Sequence, residues 1–153
     1  MTQFIPKFGS QNWIYQSFLI TTPFLDLVAE PPNSPVPAKK WAMGQLVVTD
    51  CIDGIGGSGI LTFTPDIQLE ITITGKPGSR EIPATFEAMG KCVEGVAQGA
   101  EYQLSGWAFS GSTGNVVRVG GAIHAVRGPD TNPKFELGGM PIGTVGTFSI
   151  DKE

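Results

Sequence analysis

Glycine and proline punctuate this chain from end to end, and that spacing limits its fold more than any other feature. The 153 residues include 21 Gly and 12 Pro, spread along the length rather than gathered in one segment. In a helix interior each Gly costs about 1 kcal/mol and each Pro about 3 kcal/mol relative to Ala, so long helices have nowhere to run. Short strands with frequent turns tolerate the same density. The apolar period between the punctuation marks agrees. Over residues 67–74, Ile67, Leu69, Ile71 and Ile73 alternate with Gln68, Glu70, Thr72 and Thr74. Strict alternation rich in β-branched side chains marks a strand with one buried face.

The same reading predicts strands over 13–20, 41–49, 59–64, 67–74, 81–89, 101–109, 116–127 and 144–150, with a further short one over 91–96. Over 81–89, Ile82, Ala84, Phe86 and Ala88 share one face against Pro83, Thr85, Glu87 and Met89. Pro65-Asp66 reads as a hairpin turn, residues 111–115 as another, and Gly128-Pro129-Asp130 as the end of the longest strand. Strand after strand at this spacing argues for an all-β domain, a sandwich or a closed antiparallel barrel of roughly eight or nine strands. Glycines inside strand patterns, at 106, 120, 121 and 146, are what barrel corners and bulges use, which favours the barrel over the sandwich. Residues 1–153 form one domain. Residues 31–37 hold Pro31, Pro32, Pro35 and Pro37, an extended polyproline-like loop spanning a barrel end.

Charge narrows the partners. The net charge is −4 and Lys39-Lys40 is the only adjacent basic pair, so the clustered positive charge that nucleic acid requires is missing. Only 16% of residues are charged, against about a quarter in ordinary soluble domains. A surface so poor in charge is expected to be partly covered in a homo-oligomer, although a large apolar cavity would shift composition the same way. The apolar run over 13–28 is broken by Gln16, Ser17, Thr21, Thr22, Pro23 and Asp26, which suits neither a membrane span nor a signal peptide. The expectation is a cytoplasmic protein with Cys51 and Cys92 as free thiols, no membrane association and no nucleic-acid partner.

Several motifs fail on context. Gly54-Ile55-Gly56-Gly57-Ser58-Gly59 has the letters of a dinucleotide fingerprint, but such a loop must open a helix whose N-terminus holds the pyrophosphate. Ile60-Leu61-Thr62-Phe63-Thr64 follows instead, a strand, so the run reads as a flexible hairpin loop. One His and two distant cysteines offer no zinc spacing, and Asp50 and Asp53 read as turn caps. No metal and no cofactor are expected.

His124, the only histidine, is the best candidate for acid–base chemistry, because its ordinary pKa lies near neutrality. It shares a strand side with Val116, Arg118, Gly120, Ala122 and Val126. Arg118 lies six residues earlier, about 20 Å away at strand rise. Glu70 and Glu87 sit mid-strand opposite their apolar faces. They lie outside a barrel with an aliphatic core, or line a barrel with a polar cavity, where two carboxylates could divide acid and base roles. Tyr102 or Arg118 is the candidate oxyanion partner. Trp13, Trp41, Phe63, Phe86 and Trp107 are the candidate ligand-binding side chains. Large rings of this kind line pockets and also anchor cores and interfaces. Trp107 shares its face with Gln103, Ser105 and Phe109, a mixed face suited to a pocket or a subunit contact.

The run from Trp41 through Ile150, with its short strands, Gly-rich hairpins and Gly106-Trp107 within a central strand, resembles small barrels of the calycin and allene oxide cyclase-like kind. The lipocalin Gly-x-Trp is absent, since Gln11-Asn12-Trp13 lacks the Gly. The resemblance implies a barrel whose mouth binds a small apolar molecule. The expected function is therefore a cofactor-free cyclase or isomerase acting on a small, largely apolar metabolite. The alternatives are a non-catalytic carrier of such a ligand and an oligomeric structural or interaction module.

Overall fold

A sheet whose strands each carry one apolar and one polar face removes its exposed edges only by closing on itself. This chain does so. The computed structural model describes residues 12–21, 39–52, 56–63, 67–76, 78, 83–95, 97–110, 116–130, 143 and 145–152, with the backbone alone described at 19–21, 39–41, 49–52 and 110. Eight strands follow in order: β1 (Asn12–Thr21), β2 (Lys39–Ile52), β3 (Gly56–Phe63), β4 (Ile67–Thr74), β5 (Ala84–Lys91), β6 (Glu101–Ser110), β7 (Val116–Arg127) and β8 (Val145–Lys152). Each pairs antiparallel with the next, and β8 pairs with β1, giving a closed barrel in simple up-and-down order. Closure sets the sandwich alternative aside. No helix among the described residues is long and apolar enough to cross a membrane.

β4 and β7 have the bounds expected from the sequence, and the other strands differ at their ends. Three expectations are corrected. Gly56–Gly59 is not hairpin loop but the first half of β3, paired with β2 and, from Gly57 on, with β4 as well. Its inward positions, Gly57 and Gly59, are buried, so these glycines serve close strand approach. The expected strand over 91–96 is absent. β5 ends at Lys91, and the Gly99 N–H donates to the Cys92 carbonyl at 2.8 Å, folding the connection back on itself. Val116 does not share a side with Arg118, because a register shift at Phe109/Ser110 turns Val116 inward. The turns at 65–66 and 111–115 and the loop at 31–37 lie outside the described residues.

The apolar face points inward. Trp13 and Tyr15 of β1, Leu46 of β2, Leu61 and Phe63 of β3 and Leu69 of β4 are all within 3% of full burial. From the other half, Phe86, Tyr102, Leu104, Ile123 and Ile150 have no exposed surface, and Phe148 has little. Ring contacts link the walls, two of them reaching across three strands. Phe63 and Tyr102 meet edge to face with centroids 5.1 Å apart, and Phe63 also meets Tyr15 at 5.2 Å. Tyr15 stacks on Phe148 at 6.3 Å, and Phe148 reaches Phe86 at 5.9 Å. A continuous chain of five rings therefore links β6, β3, β1, β8 and β5 through the lumen. An eight-stranded barrel is just wide enough either for side chains to fill or for one small ligand, and these five rings occupy part of that interior.

Glycines make that filling possible. Phe86, Gly106, Gly121 and Phe148 lie in one cross-strand row. Three strand spacings put the two Phe residues roughly 14 Å apart along the wall, yet their rings touch, leaning together over the two glycines. A Cβ on Gly121 would run into the Ser105 carbonyl and sit 2.6 Å from the Gly106 Cα, and one on Gly106 would meet the Gly120 carbonyl. Tyr15 and Phe63 likewise flank Gly44 in register.

Candidate functional site

Register and closure together fix where each candidate side chain points, and they divide the set. On β7, Arg118, Ala122 and His124 face outward while Val119, Ile123 and Ala125 are buried. His124 is exposed, opposite Gln103 on β6 and Val145 on β8. Arg118 is exposed and opposite Asp151, to which its Nε donates in an ion pair. Glu70 is exposed, between Ile60 and Lys91 on its neighbouring strands. Glu87 is exposed, facing Thr74 and Ser105. These two carboxylates take the outer positions that an aliphatic core dictates. Tyr102 is fully buried inside the barrel. The wall stands between it and the four charged or titratable candidates.

Distances along the wall separate Glu70 from Glu87 and Arg118 from His124. Glu70 lies four residues from Thr74, the partner of Glu87, hence about 13 Å from that row. Arg118 and His124 remain six residues apart on one strand. The five groups named for catalysis do not converge on one substrate-sized space.

The ligand-binding candidates divide in the same way. Trp13, Phe63 and Phe86 are core residues, whereas Trp107 is 51% exposed on the outer wall. Trp41 lies in β2, and its side chain is outside the described residues. Gln103, Ser105 and Phe109 are exposed beside Trp107, so the mixed face of β6 is an outer face.

A concave site that sequence reading did not find lies at one end of the barrel. A cavity of about 270 Å³ is lined by Lys91 at the end of β5, Cys92, Val93, Gln98 and Gly99 of the β5–β6 connection, Arg127 at the end of β7 and Asp130 just beyond it. The connection is tightly tied. Cys92 N–H donates to the Ala100 carbonyl at 2.9 Å, and Asp130 N–H to the Gln98 carbonyl at 2.8 Å. Gly99 has φ 95°. That φ favours glycine, and an added Cβ would have to displace the Asp130 carboxylate.

Charge at this rim alternates. Glu70, Lys91, Glu101 and Arg127 occupy one cross-strand row. Lys91 Nζ lies 3.9 Å from Glu101, and Arg127 donates to Asp130 at 2.8 Å. Each cation already has its carboxylate, so the cavity offers no net positive field to an anion. Cys92 is 1% exposed and free, and its thiol donates to the Glu94 carbonyl at 3.1 Å. Burial pushes its pKa up, which makes it a poor nucleophile at neutral pH. The row becomes visible only with the register in hand, which is why composition and motif reading passed over it. Among the described residues no group of three His, Cys, Asp or Glu side chains is placed to hold a metal.

Comparison with protein-family models, with curated proteins and with solved structures finds no match to this chain.

Proposed function

We propose that this chain is a non-catalytic interaction module, a barrel whose interior is structural and whose outer wall meets a macromolecular partner. The observation that carries this reading is the chain of ring contacts through the lumen, Phe63 to Tyr102 and Phe86 to Phe148, which uses interior volume that a ligand would need. Two further features support it. The exposed large apolar side chains, Ile14, Val47, Ile60, Trp107 and Phe109 among them, stand on the outer wall. The polar candidates for catalysis stand there too, each opposite a neighbour on the next strand rather than around a common space.

A cyclase or isomerase of the cofactor-free kind works by holding a reactive conformer against one or two polar groups in near-attack geometry. His124 and Glu87 on the outer wall and Tyr102 within do not supply that geometry between them. The test is native mass spectrometry of freshly purified protein with the denatured mass alongside. The module reading expects the native mass to be a whole number of chains with nothing lost on denaturation. A small molecule released on denaturation would overturn it in favour of a ligand-holding barrel.

A further inference from the structure

We propose that the cavity at the barrel end binds a small zwitterion, an α-amino acid with a short uncharged side chain. This goes beyond the interaction-module reading, since none of the five lumen rings lines the cavity. Charge at the rim selects the ligand class. Glu70, Lys91, Glu101 and Arg127 follow one another across the strands, and Asp130 pairs with Arg127 at the end of the row. An array of alternating sign attracts a dipole and resists a lone charge. An anion drawn to Lys91 and Arg127 also meets Glu101 and Asp130, and Glu70 beside Lys91 weighs further against it. A lone cation drawn to Asp130 meets Arg127 and Lys91.

The hydrogen-bonding groups point the same way. Arg127 uses one terminal nitrogen on Asp130 Oδ1, at 2.8 Å. Its other guanidinium donors and Asp130 Oδ2 have no partner among the described residues. Lys91 Nζ stands 3.9 Å from Glu101, beyond hydrogen-bond reach. An α-amino acid can therefore lie antiparallel beside the Arg127–Asp130 pair without breaking it. Its carboxylate takes the remaining guanidinium donors, with Lys91 alongside, and its ammonium takes Asp130 Oδ2. Val93, 44% exposed at the cavity wall, offers the side chain an apolar contact. The volume of about 270 Å³ suits a molecule of this size rather than a larger one. The frame is set before a ligand arrives. The Asp130 N–H donates to the Gln98 carbonyl, and Gly99, without a Cβ, lets the Asp130 carboxylate lie against the connection. Because the charged groups are partly exposed, binding is weak, with a dissociation constant on the order of 1 mM.

The test follows the backbone amide shifts of dialysed, ¹⁵N-labelled protein by NMR as L-alanine or L-valine is added. Saturable shifts should appear in the amides of residues 91–100 and 127–130. Acetate and methylammonium, each carrying one of the two charges, should bind at least about tenfold more weakly. Arg127→Gln and Asp130→Asn should each weaken binding about tenfold or more, and the same spectra show whether each variant is folded. Lys76→Gln removes a cation beyond β4 at the opposite end of the barrel and should bind like the wild type. No saturable shift by about 100 mM of either amino acid would overturn the inference. So would acetate or methylammonium binding as tightly as the amino acids, or folded Arg127→Gln and Asp130→Asn proteins that bind unchanged. None of these results touches the module reading. That reading falls on a molecule retained through purification, whereas dialysis strips a ligand held this weakly.

Discussion

Adjacent glycines on β7 show how much a single position depends on which way it faces. Gly121 points inward, where an added methyl meets the β6 backbone; Gly120 points outward, with only the Phe148 carbonyl at 3.8 Å from an added Cβ. Gly121→Ala should destabilise the fold by about 1–3 kcal/mol through overpacking. Gly120 is not among the positive-φ glycines, so Gly120→Ala should be neutral or stabilising by up to about 1 kcal/mol, since it restricts the unfolded chain. Urea denaturation of the pair measures both, and equal losses would contradict the assigned facing. The buried thiol gives a second prediction. Folding raises the Cys92 pKa above its ordinary 9.0, so above pH 9 the unfolded chain binds fewer protons than the folded one. Its stabilising contribution is complete below that pH and declines as pH rises toward the folded pKa. Stability of the wild type should therefore fall more steeply above pH 9 than that of Cys92→Ala, measured by urea midpoints in a common Cys51→Ala background.

Whole strands were readable where their sequence alternates cleanly. Ile67–Thr74 carries a period-two pattern over its full length and β4 has those bounds, whereas Val116–Arg127 alternates only from Arg118 onward, past the register shift. Gly56–Gly59 was not readable as strand, because glycine contributes no side chain to an apolar period. Only pairing to both neighbours reveals its role. Lys91 to Val96 misled in the opposite sense, since apolar Cys92 and Val93 extend the β5 alternation past the turn that Gly95 and Gly99 impose with positive φ. Pairing also decides what Arg118 does. Its guanidinium is engaged by Asp151 across the β7–β8 ladder, with side chains 63% and 28% exposed. Pairs this accessible are worth about 0–1 kcal/mol and are screened by salt. Asp151→Ala should cost less than about 1 kcal/mol in a thermal melt, and less still in high salt. A loss of several kcal/mol would mean that the pair fastens the barrel closure.

At the level of the molecule, closure was legible in the sequence and the site was not. The density of turns, the strand count and the strand glycines all favoured a barrel. The polar faces of β4, β5 and β7 belonged either to a cavity or to the outside, and no local pattern chooses between them. Filling of the lumen by Tyr15, Phe63, Phe86, Tyr102 and Phe148 chooses. It sends Glu70, Glu87, Arg118 and His124 outward and leaves the interior as core. That filled lumen is the central claim, and the aromatic NOESY spectrum of the folded protein tests it most directly. β3 and β6, like β5 and β8, are three strands apart in barrel order, so their rings meet only by reaching across the lumen. The account predicts cross-peaks between Phe63 and Tyr102 and between Phe86 and Phe148. Their absence, with these rings showing cross-peaks to a bound small molecule instead, would contradict it.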